Sequence, residues 1–172
     1  MTNTAITCTC VGVHRDALTR GHKYEIVTRD DAKGQVQVRG DNHRTRWYPI
    51  NYFDFTGAEA PVLAKWWFCD PVIDEPNSRN ELVNCVDVGF ELSSGELRWC
   101  IFVTPDYLKQ LLEARNDPNA GYEPGIYGTH LVIVADLAHH TVDWMLRHMD
   151  QQGELAEHSI LTEPSVGDID DE

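Results

Sequence analysis

Short apolar runs of strand length, separated by turn residues, fill the first third of the chain. Ile6–Val13, Tyr24–Thr28, Gln35–Arg39 and Arg44–Tyr48 concentrate β-branched and aromatic side chains. Asp30-Asp31-Ala32-Lys33-Gly34 and Gly40-Asp41-Asn42-His43 stand between them and carry turn chemistry. So many short strands in so little sequence predict a small barrel. Farther along the period changes. Glu81–Leu92 and Leu97–Val103 flank Ser93-Ser94-Gly95-Glu96 and predict a hairpin. Thr104-Pro105-Asp106 marks a helix start: a hydroxyl that accepts a free amide, a proline whose missing amide is not needed, and an acid favoured by the helix dipole. Tyr107, Leu108, Leu111 and Leu112 form one apolar face to about Arg115, and Asp117-Pro118 stops the helix. After the turn-rich loop Asn119–Gly128, Thr129–Ala135 has the composition of a buried strand. Asp136 is placed to cap a second helix, with Val142, Met145, Leu146 and Met149 on one stripe and Gly153 at its end. Glu154–Leu161 follows as a weaker last strand. The order ββαβα, with a final β, predicts an α+β domain with two helices on one face of a sheet.

Between these modules, residues 58–80 carry Pro61, Pro71 and Pro76 and the adjacent indoles Trp66-Trp67. The expectation is a connector whose tryptophans pack against one module, because large apolar patches seldom face solvent on soluble monomers. With 172 residues, 42% of them apolar, the chain can bury a core without disulfide or metal support. Its five cysteines are odd in number and scattered, which fits reduced thiols in strands. No apolar run has the length of a membrane span, and Met1-Thr2-Asn3-Thr4 lacks the basic start of a secretion signal, so a cytoplasmic location is expected.

Charge changes the picture most. The net value is −14, which disfavours non-specific binding to nucleic acid or anionic lipid. Cut at Gly57, the chain has eight bases and six acids before the boundary, and six bases and twenty-two acids after it. A nearly balanced module is thus expected ahead of a strongly acidic one.

Two stretches resemble known families. Leu18-Thr19-Arg20-Gly21-His22-Lys23-Tyr24-Glu25-Ile26, a tight hairpin, and Trp47-Tyr48-Pro49-Ile50-Asn51-Tyr52-Phe53 together resemble an SH3-like barrel, where Pro-x-x-Tyr after an aromatic strand makes a short 3₁₀ turn. The Ala-Leu-Tyr-Asp-Tyr-type opening of signalling SH3 domains is missing, so the resemblance implies the barrel fold rather than proline-rich ligands. The second stretch is similar to small α+β immunity proteins of bacterial polymorphic toxin systems and related phage and plasmid proteins. It has an aromatic-rich strand, Leu97-Arg98-Trp99-Cys100-Ile101-Phe102-Val103, and the helix start Thr104-Pro105-Asp106-Tyr107-Leu108. Leu131-Val132-Ile133-Val134 and then Asp136-Leu137 complete the pattern. The expected organisation is an SH3-like β-barrel at 1–57, a connector at 58–80, an acidic α+β domain at 81–163 and an acidic tail at 164–172.

Candidate chemistry is sparse. No phosphate-binding loop is present, and Cys8-x-Cys10 lacks two further zinc ligands at recognisable spacing. His139 and His140, near Asp136 and Asp143, open a helix and have no His or Glu partner at i+4. Cys100 sits in a strand expected to be central, where a thiolate would be desolvated, and Ser93-Ser94 lies in a hairpin without a nucleophile elbow. Acid pairs such as Asp70 with Asp74, Asp87 with Glu91 and Asp168 with Asp170 are too common in so acidic a chain to single out. No catalytic residue, metal or cofactor is expected.

The reading that follows is a non-enzymatic, protein-binding inhibitor of immunity-like or phage anti-defence type. It would occlude the basic or catalytic surface of a nuclease or toxin, without binding nucleic acid or membrane itself. The alternative is a structural or adaptor component of a phage or plasmid assembly. Expected partner contacts are Asp143, Asp150, Glu154 and Glu157 on the acidic module, and Arg44, Trp47, Tyr48 and Tyr52 on the barrel.

Overall fold

The computed structural model describes residues 5–69, 84–115 and 128–162. Among these residues are ten strands in two sheets and two helices, an α+β architecture. The tail expected at 164–172, the connector beyond residue 69 and most of the Asn119–Gly128 loop lie outside the described residues. The chain divides into two compact units, Met1–Leu63 with Asp143–Leu155 and Ala64–Val142 with Ala156–Glu172. This division differs from a cut at Gly57, and it assigns most of the second helix to the first unit.

In the first unit, β1 (Ala5–Cys8), β2 (Lys23–Asp30), β3 (Gln35–Arg39), β4 (Thr45–Pro49) and β5 (Phe53–Asp54) form one antiparallel sheet in the order β4-β3-β2-β1-β5. Ile50–Tyr52 makes the expected 3₁₀ turn, entered through Pro49. The sheet is not closed into a barrel: β4 and β5 are its two ends. Alternation along the strands sends Ile6, Cys8, Tyr24, Val36, Val38, Tyr48 and Phe53 into a single core. A bulge between Ile26 and Thr28 breaks the register of β2 against β3, and Val27 stands exposed there.

In the second unit, β7 (Cys85–Leu92) and β8 (Leu97–Val103) form the expected hairpin. Gly95, at φ +84°, supplies the left-handed turn position, and its amide donates to Leu92 O at 2.8 Å. Strand β6 (Leu63–Phe68) adds to β7 on the outside. The other side of β8 is shared. Strand β9 (Leu131–Ile133) runs parallel beside Ile101–Val103, and β10 (Ile160–Leu161) runs antiparallel beside Arg98 and Trp99. Helix α1 (Pro105–Arg115) is capped as expected, with Thr104 Oγ1 accepting the Tyr107 amide at 3.3 Å. Helix α2 (His139–Gln152) starts beneath Asp136, whose Oδ1 accepts the Ala138 amide at 3.0 Å and the Thr141 hydroxyl at 2.6 Å. Gly153, at φ +78°, ends it. The Glu154 amide then closes on Met149 O at 2.9 Å and Leu155 is buried. The last strand therefore shrinks from Glu154–Leu161 to its final two residues.

The adjacent indoles belong to a strand, not to a connector. Neighbouring residues on β6 point to opposite faces. Trp67 lies over Gly89, while Trp66 meets Phe68 and the His139 ring, with centroids 5.2 and 4.3 Å away. Glycine at position 89 is what admits the Trp67 ring, since a Cβ there would lie 2.5 Å from its indole. Gly89→Ala should therefore lower stability by about 1–3 kcal/mol, read as a shifted urea midpoint. The loss should shrink in a Trp67→Leu background, where a flexible side chain replaces the rigid ring.

Candidate functional site

The eight expected contact residues separate into different classes once placed. Arg44 is exposed at the start of the β4 hairpin, and Trp47 is 41% exposed in the middle of β4. Tyr48, the next residue, is 0% exposed. It belongs to the core and is unavailable to a partner, because adjacent strand positions face opposite ways and β4 sends its aromatic at 48 inward. Its ring meets His14 and Phe53 edge-on. Tyr52 is half-buried: its ring covers Gly12, and its carbonyl accepts the Thr9 amide at 2.8 Å. The expected aromatic surface therefore reduces to Trp47.

The four acids do not make one patch. Asp143 is tied to Arg147 one helical turn later, at 2.9 Å. Glu154 and Glu157 are exposed, the first in the first unit and the second in the second. Asp150 is inside the first unit, 16% exposed against 12% for the Arg20 side chain with which it pairs at 2.7 Å. Asp150 Oδ1 also accepts the Leu63 amide at 3.0 Å. Arg20 reaches further, donating to Thr9 O at 2.9 Å and to Pro61 O. One guanidinium thus joins the end of β1, residues 61–63 and the second half of α2. Asp150 is a structural anchor and is withdrawn from the contact surface. Burial pushes its carboxyl above the usual range, against the pull of Arg20 and the Leu63 amide.

Of the cysteines, Cys8 and Cys100 are buried and Cys69 is exposed. Burial pushes the Cys8 and Cys100 thiols up to about 12, which keeps them protonated and unreactive. The Cys8 thiol donates to Cys10 O at 3.2 Å, and Cys10 in turn to Gln152 Oε1 at 3.8 Å. Cys69 and Cys85 are likewise raised, chiefly by burial. His139 packs its ring against Trp66 and Phe68, and both His139 and His140 are exposed. Among the described residues, no three His, Cys, Asp or Glu side chains come together to hold a metal ion.

Two groups escape a linear reading. On α2, Trp144 is 59% exposed and stacks parallel on His148, whose Nδ1 meets the Arg15 guanidinium. The i, i+4 spacing of Trp144 and His148 was the available signal. In the sheet, Asp41 accepts hydroxyl bonds from Thr19 and Tyr24 at 2.7 and 2.8 Å, and His22 lies 3.8 Å away. No local pattern joins those four residues.

Asp150→Ala should cost about 3–5 kcal/mol, because it strands the Arg20 guanidinium without a carboxylate. Asp150→Asn keeps the Oδ1 acceptor and should cost clearly less. A carboxyl whose pKa is raised by folding adds stability that is complete below its unfolded value, about 3.9. That stability is lost as pH rises through the folded value. Wild type should therefore gain on Asp150→Asn between pH 7 and 4 in paired urea titrations; the opposite trend would mean that Arg20, not burial, governs Asp150.

No known protein family, curated protein or solved structure matches this chain.

Proposed function

We propose that the chain is a non-enzymatic, protein-binding inhibitor that uses its acidic second unit to cover a basic surface. The charge distribution carries this reading. With the boundaries drawn by the fold, the first unit has ten acids and nine bases, and the second has eighteen acids and five bases. The contrast expected from the sequence thus survives a redrawn boundary and becomes −1 against −13. Two of the five bases in the second unit are neutralised internally, Lys65 by Glu91 at 2.7 Å and Arg98 by Glu96. Asp87, Asp106, Glu113 and Glu157 are exposed and form no ion pair among the described residues. A field of one sign steers an oppositely charged partner and raises its association rate. The basic groove of a nuclease or the catalytic face of a toxin has the required chemistry, in keeping with the resemblance to immunity proteins and to phage and plasmid proteins.

The buried thiols of Cys8 and Cys100, pushed up to about 12, support a binding role over catalysis. All five cysteines are free, which fits a reducing, cytoplasmic setting. No described helix is long and apolar enough to cross a membrane.

Pull-down with the full chain should recover a basic protein, and the complex should weaken as salt rises from low to physiological ionic strength. Asp87→Lys, Asp106→Lys and Glu157→Lys together should slow association without lowering the melting temperature. A salt-insensitive complex would remove the electrostatic part of the reading. A defined homo-oligomer that ignores basic partners would favour an assembly component instead.

A further inference from the structure

The edge of the first sheet has a chemistry opposite to that of the second unit. Among the described residues, strand β4 pairs with β3 on one side and ends the sheet on the other. Which of its backbone groups are free follows from the ladder. Gly40 N–H donates to Arg44 O at 3.0 Å, and Ile50 N–H donates to Gly34 O at 3.0 Å. The register pairs Val38 with Arg46 and Val36 with Tyr48. In an antiparallel pair the bonded positions alternate, so Arg46 and Tyr48 turn their amides and carbonyls toward β3, and Arg44 turns its carbonyl there while its amide donates to Asn42 Oδ1 at 3.1 Å. Thr45 and Trp47 turn theirs outward. Pro49, which has no amide, closes the free stretch at one end, and the turn at Asn42-His43 closes it at the other.

The side chains along this edge are cationic and aromatic. Arg39, Arg44 and Arg46 are exposed and form no ion pair among the described residues, while Arg20, Arg29, Lys33 and Arg147 of the same unit are all paired. Trp47 stands between them on the strand, opposite Gln37. The nearby acid Asp41 is already engaged by Thr19 and Tyr24, and Asp16 by Asn42. Charged residues on an edge strand deter like strands from pairing, so a second copy of β4 is a poor occupant. An exposed tryptophan has no such purpose.

We propose that the free edge of β4 docks an acidic, extended polypeptide segment, which adds to the first sheet as a further strand. The added strand would bond the Thr45 and Trp47 backbones and set acids against Arg44 and Arg46. These arginines are two residues apart, the period at which one face of any paired strand repeats. A nucleic-acid strand could neutralise the arginines but has no backbone ladder to offer. This proposal stands apart from the inhibitor reading, which concerns the other unit and a partner of the other sign.

The test uses the full chain and a short labelled peptide alternating Glu with Val, with the same peptide carrying Lys in place of Glu as control. The acidic peptide should bind and the basic one should not. Arg44→Glu with Arg46→Glu should weaken binding by about tenfold or more while leaving the melting temperature unchanged. Hydrogen exchange supplies a readout that needs no variant: the Thr45 and Trp47 amides should become protected in the complex, and the Arg46 amide, already bonded to β3, should not change. Failure of the acidic peptide to bind, or binding without protection at Thr45 and Trp47, overturns the proposal. So does a single-stranded oligonucleotide that binds this edge where the peptide does not.

Discussion

The first unit depends on one largely buried ion pair. Arg20 and Asp150 are 130 positions apart in sequence, yet their 2.7 Å contact, with the bonds from Arg20 to Thr9 O and Pro61 O, fixes the second half of α2 and residues 61–63 to the β1 end of the sheet. Hydrophobic contacts alone would leave the helix free to slide or rotate, because apolar packing has little direction. A desolvated guanidinium tolerates few positions in which its donors are satisfied. Val11 N–H to Gln151 O at 2.9 Å and Gln152 Nε2 to Gly12 O at 3.2 Å then align the last turn of α2 with the loop after β1. Gly153 completes the junction: a Cβ there would sit 2.7 Å from Thr9 O.

Local signals were enough for local elements. The bounds of β3 and α1, the 3₁₀ turn after Pro49, the β7–β8 hairpin and the helix stop at Gly153 all follow from turn residues, caps and periodicity within a few positions. Failures came where a distant contact outweighs composition. The prolines around Trp66-Trp67 concealed β6, although the expected packing of the indoles is met on Trp67, whose ring lies over Gly89 of the neighbouring strand. Tyr48 was taken for a surface aromatic beside Trp47, although alternation along β4 required the two to part company. Asp150 carries the same lesson for charge: nothing in the helix pattern distinguishes it from Asp143, and only Arg20 does.

The candidate surfaces were legible in sign more than in position. Counting charge by module identified the acidic half of the chain, and counting by folded unit narrows the contrast by drawing Asp143, Asp150 and Glu154 into the nearly neutral unit without removing it. Arg44 and Trp47 were visible because an exposed hairpin keeps its residues where the sequence puts them. The free backbone of Thr45 and Trp47 was not visible, since which side of a strand is bonded depends on register and on the absence of a neighbour.

The interleaving of the two units has a consequence for the order in which the chain is made. The first unit incorporates Asp143–Leu155, and β8 of the second unit receives its last partner at Ile160–Leu161. During synthesis from the N-terminus, the five-strand sheet therefore emerges long before the helix segment that carries Asp150, and until then Arg20 has no carboxylate partner. The first unit needs residues made after position 142, so it cannot be completed until most of the second has been synthesised, and the two cannot fold strictly one domain after another.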